Sequence, residues 1–313
     1  MKLSLALLSL CLASSNLFAQ TITKSTLLWN GVTRYYTVVE PPANIARSGE
    51  LIVTLHGTKY AISTMPPDNN YYGWDYQCKQ KGNGCIVVAA VSTWDPDSTN
   101  AGDTKGYWVW NAQFFDDMVF STPPGQPYPD DIGYLRQLIG IIVQRYNIDP
   151  RRIYVVGSST GALMAARVAV EISDLVAAVS INSGSLQSTI SMKTVPNIVA
   201  PISVIEYHGT LDTNVAGLDP CSGQWDWNKL RPEDSTVDQT YNYFSNQNSC
   251  AVQQSTLPLC QTISGTKVFN NNGATSCAGN TEVKFTWEVG TAHRYLTSHN
   301  AADYLFFRAH PKP

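Results

Sequence analysis

Ile153-Tyr154-Val155-Val156-Gly157-Ser158-Ser159-Thr160-Gly161-Ala162-Leu163-Met164 decides how this chain is read. An apolar, β-branched run ends in Gly-x-Ser-x-Gly and passes at once into small and helix-forming residues. Strand, turn and helix in that order lift a serine above the edge of a sheet on a sharp, strained turn. Gly157 and Gly161 suit the turn because a Cβ at either place would collide with the neighbouring strand or helix. The pentapeptide alone arises by chance in about one chain in ten of this length, so its apolar prefix and helical suffix carry the inference. Ser159 is the candidate nucleophile. The competing reading is an ordinary glycine-rich turn in which Ser159 caps the helix.

A serine hydroxyl is a poor nucleophile at neutral pH. It needs an imidazole to take its proton and a carboxylate to hold that imidazole in the right tautomer. Behind a turn of this kind the partners follow in the order serine, acid, histidine. The chain has five histidines. His56 precedes Ser159, so order excludes it, and it reads as a structural residue holding its own loop. His208 precedes the best acid, Asp212, which follows a strand in Glu206-Tyr207-His208-Gly209-Thr210-Leu211-Asp212. Asp219 and Asp226 lie deeper in the following loop, and the bland reading of Asp212 is a local turn hydrogen bond. His293, in the small-residue turn Val289-Gly290-Thr291-Ala292-His293, is the candidate base. His299 is the alternative; it reads as a surface residue at the start of the last helix, and His310 as solvated near the terminus. An oxyanion needs two amide donors: the N–H of Thr160, next after the serine, and that of Thr58 in His56-Gly57-Thr58-Lys59.

Around this centre the pattern alternates. Apolar strands are expected at 51–55, 86–91, 153–156, 176–181, 202–207 and 283–289, and helices at 131–146, 160–171 and 300–308. Asp149-Pro150 is expected to stop the first helix. Asn30-Gly31 between β-rich runs signals a hairpin. Strands buried on both faces and alternating with helices imply an α/β class with a mostly parallel central sheet and helices on both faces. His56, Ser159, Asp212 and His293 all fall after the carboxyl ends of strands, where such sheets bind ligands. The polar stretch 245–282 reads as a long excursion pinned by disulfides.

The first 19 residues read as a secretory signal, with Lys2 before a short apolar run and Ala19-Gln20 as the expected cut; sites between Ala13 and Ala19 are alternatives. That run is too short to span a bilayer. Residues 20–313 are then a single domain, exported and without a membrane anchor. The formal charge is −3 with charged residues at 14 %, and no basic run points to nucleic acid. Apart from Cys11 in the signal, six cysteines remain: Cys78, Cys85, Cys221, Cys250, Cys260 and Cys277. An even number behind a signal favours three disulfides, and Cys78 and Cys85 are near enough in sequence to close a small loop. No Cys-x-x-Cys or histidine at ligand spacing suggests a metal.

Leu51–Gly57, Asp131–Leu135 leading to Arg145–Tyr154, the serine turn and His208–Asp212 together resemble the feruloyl esterase and poly(3-hydroxybutyrate) depolymerase group of α/β-hydrolases, in carbohydrate esterase family 1. The resemblance runs from about residue 50 to the C-terminus. It implies an α/β-hydrolase fold, a serine esterase mechanism without metal or organic cofactor, and a bridge between Cys250 and Cys277. It departs at Thr58, where the family has cysteine, at Ala162, where a second glycine is common, and at His293-Arg294-Tyr295-Leu296-Thr297, which stands for His-x-Trp-Pro-Gly. The last change alters the pocket rim. The expectation is a secreted esterase acting on feruloyl or acetyl esters of plant polysaccharide, with Trp225 and Trp227 as first candidates for holding sugar or phenolic rings, and Trp94, Trp108 and Trp110 behind them. A polyester depolymerase, a non-catalytic carbohydrate-binding protein on the same scaffold and a peptidase are the alternatives. Oligomeric state stays open.

Overall fold

Ile153–Ser158 is a strand buried along its whole length, and it lies at the middle of a ten-stranded sheet. The computed structural model describes residues 19–60, 71–80, 83–95, 107–112, 129–186, 197–209, 211–212, 214–215, 237–252, 260–263, 266–269, 272–288 and 290–313. In chain order the strands are β1 (Thr21–Trp29), β2 (Val32–Glu40), β3 (Leu51–Leu55), β4 (Lys59–Tyr60), β5 (Ile86–Ala90), β6 (Thr93–Asp95), β7 (Tyr107–Val109), β8 (Ile153–Ser158), β9 (Ala178–Asn182), β10 (Ser203–Gly209), β11 (Ala251–Val252), β12 (Cys260–Ile263), β13 (Thr266–Phe269), β14 (Asn272–Thr275) and β15 (Val283–Glu288). The helices are α1 (Trp74–Lys79), α2 (Asp131–Tyr146), α3 (Thr160–Glu171), α4 (Val237–Gln247) and α5 (Asn300–Ala309).

The large sheet runs β1-β2-β5-β3-β8-β9-β10-β15-β14-β11. From β5 to β15 every neighbouring pair is parallel. Antiparallel strands close both sides. This is the α/β-hydrolase fold. A three-stranded sheet β4-β7-β6 and a β12-β13 hairpin are separate from it. At the first edge Trp29 pairs with Val32 around Asn30 and Gly31, whose φ values of 49° and 79° make the expected tight hairpin turn.

Strand alternation sorts the core into two layers. Leu51, Val53, Leu55, Ile153 and Val155 face one side and pack with α2, α3 and α4. Ile52, Tyr154 and Val156 face the other and pack with Trp74 and Cys78 of α1 and Tyr304, Phe306 and Phe307 of α5. Tyr154 and Phe307 stack with ring centroids 4.8 Å apart and 3° between planes. α2 starts where the Asp130 carboxylate accepts the Gly133 N–H at 2.8 Å. Its first residue, Asp131, is fully buried, takes Arg34 at 2.6 Å and accepts the Asn111 amide.

Two expectations change in part. α2 spans Asp131–Tyr146 as expected, but its stop is not Asp149-Pro150: Asn147, with a φ of 52°, supplies a left-handed cap before it. The stretch 245–282 is pinned by a disulfide, Cys250–Cys277, as expected, but it is more than an excursion: it completes α4 and supplies β11 and β14 to the main sheet. The helix α1 and the small sheet were not anticipated, being too short for periodicity to reveal. Cys78–Cys85 and Cys250–Cys277 are disulfides. Cys221 lies outside the described residues, as do residues 1–18, and Cys260 is described only as backbone in β12. No helix among the described residues is long and apolar enough to cross a membrane.

Candidate active site

Parallel register brings the carboxyl ends of β3, β8 and β10 to one edge: Leu55 pairs with Gly157, Ser158 with Asn182, and Tyr207 with Asn182 across β9. At this edge β8 turns into α3 through Ser159, at φ 56° and ψ −125°. Non-glycine residues seldom adopt this conformation. The glycines explain why it is reached. A Cβ on Gly157 would lie 2.0 Å from the Gly161 carbonyl oxygen, and one on Gly161 would lie 2.1 Å from that of Leu55. Strand and helix can therefore approach, and the Ser159 side chain makes no capping bond to α3.

Its hydroxyl instead meets His293. Ser159 Oγ lies 2.8 Å from His293 Nε2, and His293 Nδ1 lies 2.7 Å from Asp212 Oδ2. An ionised carboxylate only accepts, so Nδ1 carries the proton and Nε2 is free to accept from the serine. The acid turn is held from three sides. Asp212 Oδ1 accepts the amides of Asn214 and Val215 at 2.9 and 3.0 Å, and the Leu211 amide bonds the Thr291 carbonyl at 2.9 Å, tying acid turn to base turn. Burial pushes the Asp212 carboxyl pKa up, but the His293 hydrogen bond, the charge of His208 and the Val215 amide outweigh it and hold the group below the ordinary carboxylate range. Asp212 thus stays ionised beside the imidazole.

His208 is fully buried and burial lowers its pKa. Its Nε2–H donates to the Val215 carbonyl at 2.7 Å and sits 3.4 Å from Asp212 Oδ2, so it braces the acid turn. His56 is buried too. Ser92 N–H donates to His56 Nε2 at 3.1 Å, leaving Nδ1–H to donate to the Gly57 carbonyl at 2.6 Å. Trp110 is fully buried, and its indole N–H donates to the His56 carbonyl at 2.8 Å; it supports this loop from the core rather than meeting a ligand. The loop reaches the serine closely, since a Cβ on Gly57 would lie 3.0 Å from Ser159 Cβ. Thr58 and Thr160 touch through their hydroxyls at 3.3 Å. The Thr160 amide is in the first turn of α3, where N–H groups lack intrahelical partners.

Ser159, Asp212, His293, Thr58 and Thr160 are therefore gathered at one edge. Trp225, Trp227, Asp219 and Asp226 lie outside the described residues. Trp94 is half-buried and packs against buried Trp108 at 5.7 Å. His299 is not a surface residue: it is half-buried, pairs with Glu288 at 2.6 Å and stacks on Tyr207 at 4.0 Å. Nor is His310 solvated, for it bonds Phe306 O at 2.8 Å and sits 3.3 Å from Glu282. Sequence reasoning passed over Tyr72, whose hydroxyl accepts the Gly57 N–H at 3.1 Å; no motif surrounds it. Among the described residues no group of three or more His, Cys, Asp or Glu is placed to hold a metal ion.

The model of the phospholipase/carboxylesterase family matches residues 79–217. That segment holds the serine turn and Asp212, and stops short of His293. Among solved structures, an acetyl xylan esterase from Aspergillus awamori aligns over 92 % of this chain and 99 % of its own, at 15 % identity and TM-score 0.54. The native form of a protein designated sOPH aligns over 94 % and 89 %, at 16 % identity and TM-score 0.56. A thermostable esterase aligns over 92 % of this chain and 62 % of its own, at 13 % identity and TM-score 0.51. No curated protein sequence matches significantly. The chain is a carboxylic ester hydrolase.

Proposed function

We propose that the chain is a secreted serine esterase that hydrolyses feruloyl or acetyl esters of plant polysaccharide. Ser159 Oγ attacks the ester carbonyl carbon as its proton passes to His293 Nε2. The carbonyl oxygen, now negative, is received by the amides of Thr160 and Thr58. Collapse expels the alcohol, which takes the proton from His293 and leaves the acyl group on Ser159. Water repeats the sequence: His293 takes its proton, the water oxygen bonds the acyl carbon, and Ser159 departs reprotonated with release of the acid. Asp212 holds the tautomer and stabilises the imidazolium throughout.

The observation that carries this reading is the unbroken relay Asp212–His293–Ser159, at 2.7 and 2.8 Å, on a strained strand-to-helix turn. A non-catalytic binding protein has no use for it. The Cys78–Cys85 and Cys250–Cys277 bridges and the N-terminal signal pattern support export into an oxidising compartment. The substrate class follows from the resemblance of the motifs, and one of the solved structures with which the chain shares its fold is an acetyl xylan esterase. Parallel assays on methyl ferulate, 4-nitrophenyl acetate, acetylated xylan, polyhydroxybutyrate and a peptide amide test it. Turnover of the ferulate or of acetylated xylan is expected. Turnover of the polyester or peptide alone would reassign the substrate, and no turnover by folded protein would remove the mechanism.

A further inference from the structure

The two peptide units flanking Gly57 are each pinned by a different side chain. His56 Nδ1–H holds the Gly57 carbonyl at 2.6 Å, and the Tyr72 hydroxyl holds the Gly57 N–H at 3.1 Å. In a trans peptide the carbonyl and the following N–H point in opposite directions. With the Gly57 carbonyl turned to buried His56, the Thr58 N–H is turned the other way, toward the side on which Thr58 is exposed. His56 alone leaves the loop one hinge, rotation about the Gly57 backbone, and glycine resists rotation less than any other residue. The Tyr72 hydrogen bond closes that hinge.

Tyr72 is itself held in an unusual way. Its φ is 51°, an outlier for an aromatic residue, and Gly73 follows at 75°. Its carbonyl accepts Asn300 Nδ2 at 2.7 Å, and its ring packs tilted, at 36°, against that of Tyr295 with centroids 4.4 Å apart. Tyr295 receives the Trp74 indole N–H at 3.1 Å and donates to Asn300 Oδ1. Tyr295 is two residues past His293, and the intervening Arg294 carbonyl accepts the Ser183 hydroxyl at 2.9 Å. A continuous set of contacts thus runs from the segment bearing the base to the loop bearing an oxyanion donor.

We propose that Tyr72 is a positioning residue of the oxyanion loop: its hydroxyl sets the aim of the Thr58 amide, and its contacts with Tyr295 and Asn300 keep that aim in step with His293. The role rests on the esterase reading above. It is felt only when the carbonyl oxygen becomes an oxyanion, because that is when a misaimed donor loses stabilisation that the ground state does not use.

The test is Tyr72→Phe in the full chain, which keeps the ring and its packing and removes one oxygen. With 4-nitrophenyl acetate, kcat falls about tenfold while KM stays within about twofold, a smaller loss than deletion of a donor because the amide remains. Affinity for an aryl trifluoromethyl ketone, which forms a tetrahedral adduct on a serine hydroxyl, falls by a similar factor, measured well below a melting temperature that drops only by the few degrees one unpaired buried N–H costs. Unchanged kcat and ketone affinity would overturn the role, as would losses that track thermal destabilisation. Should that variant not fold, Asn300→Ala is read instead: it frees the Tyr72 carbonyl and leaves the phenol, and lowers kcat without raising KM, or else the role is refuted. Wild-type protein inert to ester and ketone alike marks failure of the esterase reading, whereas active wild type with an equally active Tyr72→Phe marks failure of the positioning role alone.

Discussion

Ser159 occupies a backbone conformation that costs about 1–3 kcal/mol and that its neighbours enforce. The strain exposes the hydroxyl at the sheet edge, where the His293 imidazole meets it. Asp212 contributes by geometry and by charge: its two oxygens are divided between the turn amides and His293. Asp212→Asn keeps the shape but lets an amide N–H face the imidazole, which favours the wrong tautomer. Steady-state kinetics should show kcat reduced by about 10⁴, with the protein still folded. Ser159→Ala should lose on the order of 10⁶ in kcat, and retention of most activity would refute its role. The order serine, acid, histidine made these three side chains legible in the sequence, because strand ends could be placed from hydrophobic runs. Tyr72, His208 and His299 were not legible in the same way. Their partners lie 15, 4 and 11 residues off or across the sheet, and what they do depends on burial that no local pattern encodes.

Among the elements, β3 and β8 were readable as short apolar runs buried on both faces, α2 by its helical period, and α3 by its place directly after the serine turn. α4 was missed because its polar residues mask its buried face; Tyr241, Tyr243 and Phe244 pack inward while Asn242 and Asn246 face out. β11 and β14 are short strands whose pairing is set by the sheet they join. Two substitutions probe how elements are fastened. Arg34 and Asp131 form a buried pair that ties β2 to the start of α2, with the Arg34 guanidinium 3.9 Å from the Tyr134 ring centroid. Asp131→Asn leaves Arg34 buried without its counter-charge and should lower unfolding free energy by about 3–5 kcal/mol in urea titrations. Phe307→Ala removes the ring that stacks on both Tyr154 and Trp74, and should cost about 3–5 kcal/mol in the same assay. A loss under about 1 kcal/mol in either would contradict the packing described.

For the whole molecule, stability depends on pH and on its bridges. Asp303 is fully buried between Tyr207, at 2.7 Å, and Ser180, at 2.8 Å. Burial raises its pKa from 3.8 to about 6, against the hydrogen bonds from Tyr207 and Ser180 and the charge of His299. Between these values the folded chain holds a proton that the unfolded chain has released. Its contribution is therefore full below about pH 4 and is lost as pH rises through about 6, amounting to about 3 kcal/mol. Stability curves of wild type and Asp303→Asn should diverge by that much across this window; parallel curves would contradict the assignment. The Cys250–Cys277 bridge spans 27 residues and fastens the end of α4 to the approach to β15. Replacing both cysteines by alanine should remove about 3–4 kcal/mol, seen as a lower melting temperature, and an unchanged one would count against the bridge.

Everything functional converges on the nucleophilicity of a single hydroxyl. The direct measurement is reaction of folded protein with a fluorophosphonate, followed by peptide mass mapping. One label is expected, on the peptide containing Ser159, absent in Ser159→Ala and strongly slowed in His293→Ala. A folded chain that takes no label, or takes it on a residue remote from the β8–α3 turn, would contradict the account.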